Sequence, residues 1–412
     1  MKSLGLTKRK NTGWSRVMPA ADALPMRQRP VAASYMRGGT SKGVFFVQQD
    51  LPTDQVQRDA VLLRAIGSPD PYGKQIDGLG GATSSTSKVV VVSRSAQPGC
   101  DVDYLFGQVA VGQPMIDWSG SCGNLAAAVG PFALHAGLVD GAPADGLAVV
   151  RIWQANLRQR IVAHVPMARG QVQELGDFWL DGVSNPAAEI RLDFLDPAGG
   201  EGLPLLPTSR VRDVLRVPDV GEVAATLISA GNLTVVVSAA VLGLAGTELP
   251  HDLNTRPDLL ARCEAVRAQA AVAMGLARTA EEATRDRPAT PKLALVAPPA
   301  TYTASDGVQV AASSIDVLVR MLSMGVFHHA IPGTGAIALA SAAALPGTVL
   351  QDHMMARPSA HARLRMGHAS GRVETQAQAE CDEAGAWHIR RVSVSRSARR
   401  LMTGQIWVPQ AL

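Results

Sequence analysis

At 412 residues the chain exceeds the size at which one hydrophobic core stops growing, so two domains are expected. An apolar fraction of 47% with 18% charged and 4% aromatic residues describes a globular protein filled by Ala, Val and Leu, and excludes disorder as its overall state. The net charge of +4 is uneven: Lys2, Lys8, Arg9, Lys10, Arg16, Arg27 and Arg29 against Asp22 alone put +6 on the first 30 residues and leave −2 on the rest, a near-neutral body that argues against nucleic acid as a partner.

Residues 1–30 lack the apolar run of a secretory signal and the pattern of a packed element, and read as a mobile basic extension. No later run is long enough to cross a bilayer, so no membrane partner is expected. Cys100, Cys122, Cys263 and Cys381 show neither paired nor metal-like spacing, which suits a reducing, cytoplasmic setting. The nine histidines form no metal-binding motif, and the adjacent His328 and His329 point in different directions on a strand or a helix, so no metal is expected.

The ordered chain is expected from Val31, where Val-Ala-Ala-Ser-Tyr-Met enters Arg37-Gly38-Gly39-Thr40-Ser41-Lys42-Gly43 and then Val-Phe-Phe-Val. This reads as strand, glycine turn, strand, with Arg37, Thr40 and Ser41 able to hydrogen-bond an oxyanion. The spacing is not that of a P-loop, so nucleotide binding is not expected. Asp59 to Ile66 reads as a short helix ending in a Pro-rich loop. The run Gly78 to Lys88 is rich in hydroxyls, including Ser84 and Ser85, and drops Lys88 at the mouth of the apolar strand Val89 to Val92. An exposed strand-end cation is the plainer reading of Lys88; burial beside the strand would instead lower its pKa and suit a general base.

After the strand Val102 to Val111 comes the stretch around which the rest is arranged. Asp-Trp-Ser-Gly-Ser-Cys-Gly-Asn-Leu, from Asp117, passes into small apolar residues up to Leu134, a polar turn feeding a buried helix. Cys122, Gly123 and Asn124 fall at its first turn, where unpaired N–H groups and the helix dipole favour a carboxylate or a thiolate. Alone, Cys122 reads more readily as a buried structural thiol, and it is the surrounding residues that favour the reactive reading.

Ala148 to Ile152 and Arg160 to Val165 read as a hairpin, further strands run to Phe194, and Asp196 to Gly202 is the best linker. The second half repeats the outline. Thr226 to Ser238 is strand, turn at Gly231-Asn232, strand; Pro257 to Leu276 is a helix; Lys292 to Ala297 is a strand; Val308 to Leu322 has a mixed apolar pattern. Ala330-Ile331-Pro332-Gly333-Thr334-Gly335 then feeds a second small-residue helix, matching the Cys122 unit but with Pro332 and no thiol. The repeat predicts two pseudo-symmetric halves whose helix N-termini, at Gly123-Asn124 and Gly333-Thr334, face one cleft.

The Arg37–Gly43 turn, the Ser84–Lys88 loop, Asp103-Tyr104-Leu105-Phe106-Gly107-Gln108, Ser119–Asn124, Arg151–Asn156, Ala297-Pro298-Pro299 with Tyr302-Thr303, and Ser395–Arg399 together resemble the PrpF family of aconitate and methylaconitate isomerases, from about Val31 to Pro409. The resemblance implies a diaminopimelate-epimerase-like α/β fold of two pseudo-symmetric domains, each a sheet rolled around a central helix. Residues 31–198, joined by the C-terminal strand from about 400 to 412, would form one, and 199–399 the other. It implies no cofactor, a lysine and a cysteine as catalytic groups at Lys88 and Cys122, and a methyl-substituted aconitate of the 2-methylcitrate cycle as substrate. Arg37, Thr40, Ser41, Ser84, Ser85, Gly123, Asn124, Gly333 and Thr334 are the candidate tricarboxylate-binding residues. Two-thiol epimerase chemistry is disfavoured, because Pro332 stands where a second cysteine would. An oxalomesaconate tautomerase, a methylitaconate isomerase, or a non-catalytic accessory to a methylcitrate dehydratase are the alternatives. Homo-oligomerisation and a functional pairing with that dehydratase are compatible with the resemblance.

Overall fold

The computed structural model describes residues 27–199, 202–355 and 363–409. Residues 1–26 of the expected basic extension lie outside this description. Gln28, Arg29 and Pro30, assigned from sequence to that extension, instead begin the first strand and pair with Pro409, Val408 and Trp407.

Seven strands of the first half and the C-terminal strand close into a ring. In spatial order, Gln28–Gly38 pairs antiparallel with Ser41–Val47, which runs parallel to Lys88–Arg94; that strand is antiparallel to Val102–Val109, which runs parallel to Gly146–Gln154. Antiparallel pairs through Gln159–Ala168 and Glu189–Leu195 then lead to the long terminal strand Trp387–Pro409, which returns to Gln28–Gly38 and removes the free edges. The helix Gly123–His135 runs inside this ring, with Gly123 through Ala133 all buried. A helix rich in Gly, Ala and Val can be enclosed closely on nearly every side, with Leu125 and Phe132 filling the wider gaps.

The second half follows the same sequence of pairings. Gly221–Ala230 is antiparallel to Asn232–Ser238, which is parallel to Lys292–Ala297; this is antiparallel to Val317–Ser323, which is parallel to Arg363–His368. Gly371–Cys381 then joins antiparallel to the first part of the terminal strand. The fully buried helix Gly333–Ala344 packs in its concave face, while Pro257–Ala273 covers the outer one. Both central helices share one hydrophobic core.

Local chemistry explains where boundaries differ from expectation. The helix read as Asp59 to Ile66 starts at Gln55, because the Asp54 carboxylate accepts the Gln57 N–H at 2.9 Å and caps it. The helix read as Pro257 to Leu276 stops at Ala273, where Gly275 N–H turns back to Val272 O. In Val308 to Leu322 only Val317–Ser323 is a long strand. Among the described residues no helix is long and apolar enough to cross a membrane.

The two central helices meet end to end. A Cβ on Gly123 would lie 2.7 Å from Thr334 N and 2.8 Å from Gly333 C; one on Gly333 would lie 2.5 Å from Gly123 C. These neighbours are backbone and have no side chain to move aside. Gly→Ala in a helix ordinarily stabilises by about 1 kcal/mol; here Gly123→Ala or Gly333→Ala should instead destabilise by about 1–3 kcal/mol through overpacking. Chemical denaturation checks the sign, and a stabilised variant would show that the helix ends are not in contact.

Candidate active site

The strand-to-helix turns of both halves open into one cleft of about 500 Å³, including space open to solvent. Cys122 is the N-cap of the first central helix, its thiol accepting Leu125 N–H at 3.5 Å, and Pro332 is the N-cap of the second. The first-turn amides of a helix have no partner within it, so both N-termini present N–H groups and positive dipole ends to the same space. Gly123, Asn124, Gly333 and Thr334 all line it.

Lys88 opens its strand from inside the cleft, 6% exposed, with Nζ donating to Gln108 Oε1 at 2.7 Å and lying 5.1 Å from the Phe106 ring centroid. Gln108 is its partner across the strands and is held in turn by donating to Ser87 O at 3.0 Å. Burial pulls the Lys88 pKa below the ordinary lysine value, and Cys122 opposes that pull. Among the described residues Lys88 makes no ion pair, so its charge lacks a compensating carboxylate.

The remaining predicted residues separate into groups. Ser41 lines the cleft. Thr40 stands behind it: Asn124 Nδ2 donates to Thr40 Oγ1 at 2.9 Å, and Asn124 Oδ1 accepts from Arg396 Nε at 3.2 Å. Burial pushes Arg396 down to about 10, Cys122 acting against it. Arg37 is not brought to the cleft lining. Its Nη1 donates to Gly39 O and Ser397 O at 3.0 Å and to Ser397 Oγ at 3.1 Å, fastening the glycine turn to the terminal strand. Burial and Arg399 push Arg37 to about 10. Ser84 and Ser85 line a wider adjoining groove of about 1470 Å³, which meets the cleft at His328.

Sequence reading missed several lining residues, among them Lys292, Asp117, Ser121 and His328. Asp117 Oδ1 accepts from the Ser119 N–H and hydroxyl at 2.8 and 2.6 Å, but Asp117 Oδ2 and Ser121 Oγ are buried without a hydrogen-bond partner. Buried polar atoms are seldom left this way without water, an ion or a ligand to complete them. His328 stacks on His329 with centroids 4.5 Å apart, and burial, His329 and Lys88 hold its pKa well below the usual histidine value, so it enters the site as a neutral ring. The one readable signal for Lys292 was its place at the head of an apolar strand in Thr290-Pro291-Lys292, as Lys88 stands in Thr86-Ser87-Lys88. Among the described residues no group of three His, Cys, Asp or Glu side chains gathers as metal ligands do.

A family model described as PrpF protein matches residues 28–409. The chain is 53% identical over 392 residues to a protein named 2-methyl-aconitate isomerase from Shewanella oneidensis, covering 93% of this chain and 98% of that one. It is 52% identical over 391 residues to the 2-methyl-aconitate isomerase of Cupriavidus necator, with the same coverage. The crystal structure of a methylitaconate-delta-isomerase superposes with a TM-score of 0.74 at 34% identity, covering 93% of this chain and 97% of the other. A probable proline racemase from Agrobacterium radiobacter K84 superposes with a TM-score of 0.52 over 91% and 92% of the two chains; at 13% identity this shows the fold alone, and the fold is the epimerase-like one the sequence implied. With a match across nearly its whole length and relatives sharing half its residues, the chain belongs to the PrpF protein family.

Proposed function

We propose that this protein is a cofactor-independent isomerase that moves the double bond of a methyl-substituted aconitate by an allylic proton shift. The observation that carries the reading is the convergence, in one cleft, of two helix N-termini, a buried thiol and a buried lysine without a carboxylate partner. The names of the two relatives sharing half the sequence support 2-methylaconitate over other unsaturated acids. A methylcitrate dehydratase is then the natural source of substrate, and a cytoplasmic setting fits. The same reading divides the chain into halves of 31–198 and 199–399, with the end of the terminal strand returning to the first.

The chemistry follows from charge. A proton leaves the carbon beside the double bond, its electron pair moves through that bond into a carboxylate, and a proton is returned two atoms away. Lys88 and Cys122 are the two carriers: one takes the first proton, the other supplies the second, and transfer between them resets the site. Burial favours the free amine of Lys88, which a base needs. The developing negative charge meets fixed N–H donors at Gly123-Asn124 and Gly333-Thr334, oriented before the reaction begins. The second helix carries Pro332 at its cap, which moves no proton, so its share is binding.

An ultraviolet assay of the pure protein against a panel of unsaturated di- and tricarboxylates tests the assignment. Preferred isomerisation of a methylaconitate is expected, and no turnover of any panel member would overturn it. Lys88→Ala and Cys122→Ala should each lower turnover roughly 10²-fold or more with the fold retained by circular dichroism; near-normal turnover in either removes that residue from the mechanism. Because burial lowers the Lys88 pKa, turnover should rise with pH along a limb set below the ordinary lysine value of 10.5. Thr334→Val should weaken substrate binding and leave that limb in place; a shifted limb at unchanged affinity would mean that the second half shares the proton chemistry.

A further inference from the structure

Superposing the order of strand pairings in the two halves aligns their cleft residues. Ser41 heads its strand as Asn232 does, and both line the cleft; Cys122 and Pro332 are the two N-caps. In the first half Lys88 opens the strand that is parallel to one neighbour and antiparallel to the next, and Nζ bonds Gln108, its cross-strand partner. In the second half Lys292 opens the topologically equivalent strand, and its Nζ donates at 3.1 Å to Ser323 Oγ. Ser323 lies one step beyond the Leu293–Leu322 register pair, where Gln108 lies relative to Lys88. Lys292 therefore reaches the cleft from the opposite wall by the same construction.

We propose that Lys292 is a substrate-binding residue whose ammonium pairs with a carboxylate of the polycarboxylate ligand, facing Lys88 across the cleft. Lys292 forms no ion pair among the described residues, although it is half-buried in the cleft lining. A desolvated ammonium whose one nearby carboxylate, Asp117, lies outside ion-pair distance is costly, and an anionic ligand reduces that cost. Its approach is fixed from behind: Arg267, forked on Glu264 at 2.6 and 2.7 Å, also donates from Nη1 to Arg287 O at 3.1 Å and Thr290 O at 3.0 Å, pinning the turn that delivers Lys292. Asp117 Oδ2, buried in the cleft lining without a hydrogen-bond partner, leaves room there for a donor that a bound ligand or a lysine could supply.

The charge of Lys292 is set by its surroundings. Burial and the like charge of Lys88 push its pKa down to about 8, Arg267 adds to this, and Asp117 and Cys122 pull it up; His328, neutral, adds no charge. Near pH 8 the empty site thus holds a partly neutral Lys292. A bound carboxylate favours the ammonium and raises the value, so binding must take up protons there. At about pH 6.5, below the lowered value, Lys292 is already charged and uptake must fade.

This inference rests on the polycarboxylate-binding part of the isomerase reading and not on turnover. Titration calorimetry of the full chain with tricarballylate, a saturated tricarboxylate, in paired buffers of high and low ionisation enthalpy measures both affinity and protons exchanged. The wild-type protein should take up a fraction of a proton at about pH 8 and close to none at about pH 6.5. Lys292→Gln should bind at least about tenfold more weakly with reduced uptake at pH 8, since the group that takes up the proton is gone. Wild-type binding without proton uptake at pH 8 overturns the proposal and needs no variant. So does a Gln variant with unchanged affinity and uptake. Wild-type binding with uptake, in a protein that isomerises no aconitate, sustains this proposal and rejects the isomerase.

Discussion

Everything distinctive about this molecule depends on a contact between two stretches of bare backbone, Gly123 against Gly333, close enough that a methyl group on either would strike the other chain. Each glycine begins a buried helix, so the contact joins two positive dipole ends that would otherwise repel. In water such an arrangement would be screened; here both helices are enclosed by their sheets and share one core, which holds the ends together. An anion between them relieves the repulsion. The fold thus spends packing energy on a place where negative charge is welcome, which is what an enzyme stabilising an allylic anion requires.

The amines extend that logic. Lys88 and Lys292 enter from opposite halves by equivalent strands, each tied to a neutral side chain across the ladder rather than to a carboxylate. A carboxylate partner would have kept them permanently charged and occupied. Neutral partners orient them and leave burial to lower their proton affinity. The pseudo-symmetry is incomplete at the helix caps: the first half places the Cys122 thiol where the second half has Pro332.

Much of this was legible in the sequence because it is local. A glycine turn running into Gly-Asn-Leu-Ala-Ala-Ala, and again into Gly-Thr-Gly-Ala-Ile-Ala, contains enough information to place two buried helices and their N-termini. Lys292 was legible only as a lysine at the head of an apolar strand; its place opposite Lys88 in the site lies in strand register, and register exists only once Val317–Ser323 and Lys292–Ala297 have paired. Arg37 shows a contact the sequence hides. Among glycines and hydroxyls it reads as a free cation for a ligand, whereas in the fold its Nη1 is bonded to Ser397, 360 residues later in the chain. Ser84 and Ser85 were similarly placed by proximity to Lys88, and the loop carries them into the adjoining groove instead.

The central claim is that both halves hold one polyanion at the point where their helices meet. A crystal structure of the protein with tricarballylate bound tests it most directly. The account predicts carboxylate oxygens within hydrogen-bonding distance of first-turn amides of both helices, at Gly123-Asn124 and at Gly333-Thr334. A ligand held entirely by one half, with the other helix N-terminus facing only water, would contradict it.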